Sequence, residues 1–157
     1  MNGASDAVHD AGRDRPVVLV SCARRKRTAA HRAEDLYVSD LFAKSRAFAE
    51  RHGGRWFILS ARHGLLAPDA VIAPYDQTLN RMKREERRRW ADGVVREIGS
   101  RVAPGTCLVI LAGAAYREHL EPQLAALGYS VEVPLHGRRI GEQLRALAAL
   151  LGNDRGA

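Results

Sequence analysis

The chain has 157 residues, 46% of them hydrophobic and 27% charged, with a formal net charge of +7 and a sequence pI near 10.1. That length suits a single domain around one core, and no apolar run approaches the roughly 20 residues needed to cross a bilayer. Two cysteines, Cys22 and Cys107, are too few for a disulfide framework or a multi-cysteine zinc site, and each sits at or inside an apolar run, as reduced thiols do.

In chain order, Met1 to Arg15 is small, polar and mixed in charge, with no signal-peptide-like apolar stretch, and reads as a disordered tail on a cytoplasmic protein. The domain is expected over residues 16–152, with a second tail over 153–157. Four short apolar runs bounded by turn residues predict buried strands: Pro16 to Ser21, Arg55 to Ser60, Thr106 to Ala112 and Tyr129 to Val133. Ser39 is the predicted N-cap of a helix that buries Leu41, Phe42, Ser45, Phe48 and Ala49 and stops at Gly53-Gly54. The spacing of Trp90, Ala91, Val94, Val95 and Ile98 predicts a longer helix from about Asn80 to Ser100, with a charged, projecting first part. Pro122 should interrupt a helix over Ala114 to Leu127. A last helix from Arg138 should turn Ile140, Leu144, Leu147 and Leu151 inward. Strands alternating with helices predict a three-layer α/β fold: a mainly parallel four-stranded sheet flanked by helices. Gly64 to Leu79, with two prolines and no periodicity, is a long loop of the functional kind.

Cations are concentrated. Arg24, Arg25, Lys26, Arg27 and Arg32 carry +5, and Arg81 to Arg89 carries a net +4, so the rest of the chain is slightly acidic. Such clusters suit a polyanion or a phosphate-bearing substrate, although an excess of Arg over Lys also arises without function.

In open α/β sheets ligands bind outside the carboxyl ends of the strands, so the residues following each strand are the candidates. Ser21, Cys22, Arg25 and Lys26 follow the first strand, with Tyr37 and Ser39 further on. Ser60, Arg62 and His63 follow the second and lead to Tyr75 and Asp76. Gly113 and Tyr116 follow the third, and His136 the fourth. Each residue also has a structural reading: His63 as a backbone-satisfied loop residue, Asp76 as a helix cap, Cys22 as a small buried hydrophobe, Tyr116 as packing. Lys26, one of three lysines, suggests a nucleophile or proton donor, and a thiol at Cys22 beside the basic loop suggests a depressed pKa. No metal-ligand spacing, P-loop or G-x-G-x-x-G pattern occurs, so no metal or cofactor is expected.

Leu59-Ser60-Ala61-Arg62-His63-Gly64-Leu65, followed by Pro68 and Pro74-Tyr75, resembles the L-S-x-x-x-G-x-L-x-P…P-Y segment of the YaaA peroxide-stress proteins. Leu111-Ala112-Gly113-Ala114-Ala115-Tyr116 is similar to the later L-A-S-x-x-Y segment of that family. Ser21-Cys22 with Lys26, Leu36-Tyr37 with Ser39, and the S-A-R-H-G-L block resemble a family of small bacterial domains of unknown function. Cys22-x-x-x-Lys26 also resembles the central domain of archaeosine synthase, where a lysine carries the chemistry; here the gap from lysine to tyrosine is longer. These resemblances imply a uracil-DNA-glycosylase-like α/β fold.

The leading expectation is an enzyme acting at the N-glycosidic bond of a nucleoside, nucleotide or nucleobase in nucleic acid, with Asp76, His63 and Lys26 catalytic. Ser21, Cys22, Arg25, Tyr37, Ser39, Ser60, Arg62, Tyr75, Gly113, Tyr116 and His136 would bind substrate. The alternatives are a non-catalytic nucleic-acid-binding stress protein of the YaaA type, using the Arg24 to Arg32 and Arg81 to Arg89 segments, and a nucleotide-binding module.

Overall fold

A computed structural model describes residues 15–153; apart from Arg15 and Asn153, the two predicted tails lie outside the described residues. In chain order the strands and helices are β1 (Val17–Ser21), β2 (His31–Arg32), α1 (Ala33–Leu36), α2 (Asp40–His52), β3 (Arg55–Ser60), β4 (Gly64–Leu66), β5 (Val71–Ile72), α3 (Arg84–Arg101), β6 (Cys107–Leu111), α4 (Ala114–Arg117), α5 (Glu121–Ala126), β7 (Ser130–Glu132) and α6 (Ile140–Asn153). A single 3-10 turn, Leu79–Arg81, precedes α3.

Val17 to Val20 are each at most 5% exposed. A strand buried to that degree needs cover on both faces and a partner on both edges. β1 obtains both: it pairs parallel with β3 along one edge, Leu19 opposite Phe57, and parallel with β6 along the other, Leu19 opposite Ile110. The sheet order is β4-β3-β1-β6-β7. One core layer sets Leu19, Phe57, Leu59 and Ile110 against Val94, Val95 and Ile98 of α3 and Leu120 and Leu124 around α5. The other sets Val18, Val20, Ile58 and Val109 against Leu36, Phe42, Ala49 and Leu147, from α1, α2 and α6. The alternation of strand side chains thus serves two helical layers from one apolar run.

The α/β class and the flanking helices follow the sequence expectation, but the sheet has five strands, not four. The additional strand, β4, is antiparallel to β3, with Leu59 opposite Leu65 and Ser60 opposite Gly64. It belongs to the segment expected to be loop, and three residues are too few for a periodic signal. A second, two-stranded sheet pairs β2 with β5, joining the basic loop after β1 to the loop after β4. α3 begins at Arg84 rather than Asn80, because Thr78 caps the separate 3-10 turn by accepting from the Asn80 N–H. Ile140 is 59% exposed rather than inward-facing, since it is the first residue of α6, ahead of the turns that meet the core. Ser39 caps α2, and Pro122 sits in the first turn of a new helix, both as the sequence predicts.

Gly64 closes the β3–β4 hairpin with φ of +70°. An L-residue there incurs a left-handed backbone penalty of roughly 1–2 kcal/mol. Gly64→Ala should lower the unfolding free energy by about that amount in urea titration, and an unchanged midpoint would show that the turn relaxes freely.

Candidate functional site

β1 leads through α2 to β3 on one side of itself, and the chain then crosses through α3 to β6 on the other side. The connections leaving the carboxyl ends of β1 and β6 therefore diverge, which opens a crevice there, the position where ligands of open α/β sheets bind. Two clefts occupy it. The first, about 190 Å³, is lined by apolar side chains including Leu41, Phe42, Leu111 and Leu135, with Ser39, Ser45 and Gln143. The second, about 310 Å³, is lined by Arg24, Thr78, Asn80, Arg81 and Tyr116. Ser21, Cys22 and Gly113 line both.

Beside the crevice, the loop after β4 folds back through Tyr75. Its hydroxyl lies 2.6 Å from the Tyr37 hydroxyl and 2.8 Å from Ser60 Oγ. Ser60 Oγ also accepts from the His63 backbone N–H at 3.0 Å, and the Ser60 carbonyl accepts from the Trp90 indole at 2.8 Å. One fully buried serine thereby ties the hairpin, the long loop and α3 together. Trp90 in turn packs edge-on against Tyr116, whose hydroxyl is 3.3 Å from Cys22 Sγ. Burial pushes the Tyr37 phenol up to about 12 and raises Tyr75 and Tyr116 as well, so all three stay protonated donors near neutral pH.

Lys26 crosses over this network. A lone antiparallel bridge sets Lys26 beside Tyr37, although ten residues separate them in the chain. The ammonium lies 4.3 Å from the centroid of the Tyr75 ring and 5.7 Å from that of Tyr37, and donates to the Arg24 carbonyl at 3.0 Å. Burial lowers its pKa from the ordinary lysine value, opposed by electrostatic interaction with Cys22 and Asp76.

Two of the three residues expected to be catalytic meet the Tyr75 ring, and none of the three lines either cleft. Lys26 lies over the Tyr75 ring, the His63 ring meets it edge-on at 5.6 Å, and Asp76 follows it in the chain and acts on Lys26 by charge. His63 is exposed and its pKa is lowered, mainly by partial burial and further by Arg62. Asp76 is exposed and does not cap a helix, that task falling to Thr78.

The expected binding residues divide. Ser21, Cys22, Ser39, Gly113 and Tyr116 line the clefts, while the Ser39 hydroxyl is also engaged in capping α2. Tyr37 and Tyr116 are 5% and 8% exposed, so they offer hydroxyl groups and ring edges rather than open stacking faces. Ser60 is 0% exposed and its hydroxyl is engaged within the protein, so it shapes the site without reaching a ligand. Arg25 lies in a shallow surface depression with Tyr37 and Ser39, and Arg62 reaches Gln77 at 3.4 Å. His136 stands apart, in contact with Arg117 at 3.3 Å.

The two basic segments also divide. Arg27 donates to the Asp35 carbonyl, Arg32 pairs with Glu34, and Arg87 binds both Glu118 and the Met82 carbonyl. Arg24 and Arg81, one from each segment, face the same cleft. Sequence reading missed Ser45, Gln143, Thr78 and Asn80 as cleft residues. Ser45 was assigned to the buried face of α2 and gave no signal distinguishing a cleft wall from core.

Among the described residues no group of three or more His, Cys, Asp or Glu side chains is placed to hold a metal ion, and no helix is long and apolar enough to cross a membrane.

Fold and site together define an α/β protein with a split crevice at the switch point of its sheet. The chain belongs to the family described as a family of unknown function, DUF6884, which it matches over residues 17–149. No curated protein and no solved structure matches it significantly.

Three outcomes test the geometry. Tyr75→Phe leaves the Ser60 and Tyr37 hydroxyls without their shared partner and should cost about 1–3 kcal/mol of unfolding free energy. Because the folded-state phenol of Tyr37 is raised, its contribution to stability is intact below the unfolded tyrosine value of roughly 10 and is lost as pH climbs toward about 12; alkaline melts should show that fall, and Tyr37→Phe should reduce it. Lys26 should react with an acylating reagent at pH 8 faster than Lys44 or Lys83, as read by peptide mass spectrometry, and equal rates would contradict its lowered proton affinity.

Proposed function

We propose that the protein is an enzyme acting at the N-glycosidic bond of a nucleoside, nucleotide or nucleobase in nucleic acid. The observation that carries this reading is the contact of both Lys26 and His63 with the Tyr75 ring, with Asp76 acting on Lys26 by charge. The resemblance to YaaA proteins and to the lysine-bearing domain of archaeosine synthase supports it, and implies a fold of the uracil-DNA-glycosylase-like kind. The Lys26–Tyr37 bridge also places lysine and tyrosine side by side across the longer gap noted in the sequence.

Breaking such a bond builds positive charge on the sugar, and a carboxylate nearby stabilises it. Asp76 takes that role and orients a water, whose hydroxyl adds to the anomeric carbon. The departing base leaves with the bonding electron pair and receives a proton through His63. In a covalent variant, neutral Lys26 attacks the anomeric carbon as the base departs with the bonding pair and a proton, the amine loses a proton to solvent, and the resulting glycosylamine opens to an imine. A lowered lysine pKa favours the neutral amine that this step requires.

A panel of nucleosides, nucleotides and oligonucleotides incubated with the protein should yield a free base by liquid chromatography. Asp76→Asn and His63→Ala should each reduce its release by at least about a hundredfold without altering the melting temperature, and full activity in both would refute their roles. Borohydride should trap a covalent adduct on Lys26 only if the covalent variant operates. His63 is lowered from 6.5, so release that depends on its protonated form should fall as pH rises through a midpoint below that value.

A second reading, nucleic-acid binding without catalysis, is favoured by one observation: Arg24 and Arg81 come together from separate basic segments. Arg84 and Arg88 line a second depression on α3, with Asp92 and His119, whereas Arg87 is held by Glu118. Binding of this kind should weaken steeply and uniformly with salt, and Arg84→Gln with Arg88→Gln should flatten the slope.

A further inference from the structure

We infer that the ligand is a nucleoside monophosphate, or a unit of that form, with its base in the apolar cleft and its phosphate in the basic one. This rests on the substrate class proposed above but not on the bond-breaking chemistry.

The two clefts differ in character. The first presents Leu41, Phe42, Leu111 and Leu135, and its volume of about 190 Å³ exceeds the roughly 150 Å³ apolar cavity that accepts a benzene ring. Its wall carries Ser45, a polar side chain that is 3% exposed. Gln143, on the same wall, donates through Nε2 to the Arg138 carbonyl, leaving its carbonyl oxygen to accept. An apolar slot with a hydroxyl and an amide oxygen suits a flat heterocycle carrying donors and acceptors on its edge.

The second cleft has the opposite composition. Arg24 and Arg81 are exposed, and neither forms an ion pair with a described residue. Thr78 and Asn80 add polar groups beside them. Two guanidinium groups facing one recess suit a phosphate.

The clefts meet at Ser21, Cys22 and Gly113, so a ligand spanning them passes this junction with its middle portion, which for a nucleotide is the sugar. Gly113 has φ of −74° and ψ of 171°, which any residue adopts, and a Cβ built there would meet nothing within 4 Å. A larger side chain at 113 therefore enters open space at the junction without backbone strain. The position supplies a blocking variant that leaves the fold intact.

Calorimetric titration of the full chain with the four ribonucleoside 5′-monophosphates, the matching nucleosides and ribose 5-phosphate tests the assignment. At least one nucleotide should bind ten or more times tighter than both its nucleoside and ribose 5-phosphate. Arg24→Gln with Arg81→Gln should bring that nucleotide to within about twofold of its nucleoside. Gly113→Leu should weaken both tenfold or more with an unchanged circular dichroism melt. Ser45→Ala should weaken nucleoside and nucleotide but not ribose 5-phosphate, and serves in place of Gly113→Leu should that variant fail to fold. Ribose 5-phosphate binding as tightly as every nucleotide, or Gly113→Leu binding like the parent, would overturn the inference. Nucleotide binding in this pattern without release of any base would support the cleft assignment while removing the glycosidic reading. Base release undiminished in well-folded Gly113→Leu would support that reading and overturn the assignment.

Discussion

Everything at the candidate site depends on the placement of β1. A strand whose four valine and leucine side chains are almost wholly out of water must be paired on both edges and covered on both faces, and the chain meets that demand by running to β3 on one side and then back to β6 on the other. The reversal is what separates the loops at the carboxyl edge. A sheet built outward in one direction would have stacked those loops on each other, whereas here they part around Ser21, Cys22 and Gly113.

The crevice needs a second device, because the long loop after β4 has little regular structure of its own. Tyr75 holds it in place, bonding Tyr37 at the end of α1 and Ser60 at the end of β3, while Trp90 closes on the Ser60 carbonyl from α3. Buried hydroxyl groups left unpaired would be destabilising, so the network favours a single arrangement of four segments. The same arrangement presents the Tyr75 ring to Lys26 and His63. Stability and site geometry therefore rest on the same tyrosine.

Electrostatics adds a division of labour to an Arg-rich chain. Several cations serve internal structure: Arg46 joins Glu34, Asp35 and Glu50, Arg117 joins Glu121, and Arg87 joins Glu118. These pairs lie at the surface with partly buried arginines, and they occupy guanidinium groups that a count of charge would assign to a partner. What remains toward the crevice is a smaller set, led by Arg24 and Arg81.

The buried strand runs, the Ser39 cap, the Pro122 break and the class of fold were legible in the sequence, because each depends on local spacing or on the conformational limits of one residue. So was the gathering of polar residues at the strand ends. The antiparallel β4 and the β2–β5 pair were not, since strands of two or three residues owe their existence to pairing rather than to periodicity. Nor was the distinction between Ser60, engaged internally, and Ser45, on a cleft wall; both are small polar residues in apolar surroundings, and only their neighbours in space tell them apart. The sequence by itself determined which residues could reach the carboxyl edge of the sheet, through hydrophobic runs that mark where each strand ends. Tertiary structure decided which of them face open space, because that depends on contacts between segments far apart in the chain, as with Lys26 beside Tyr37 and Arg24 and Arg81 lining one cleft.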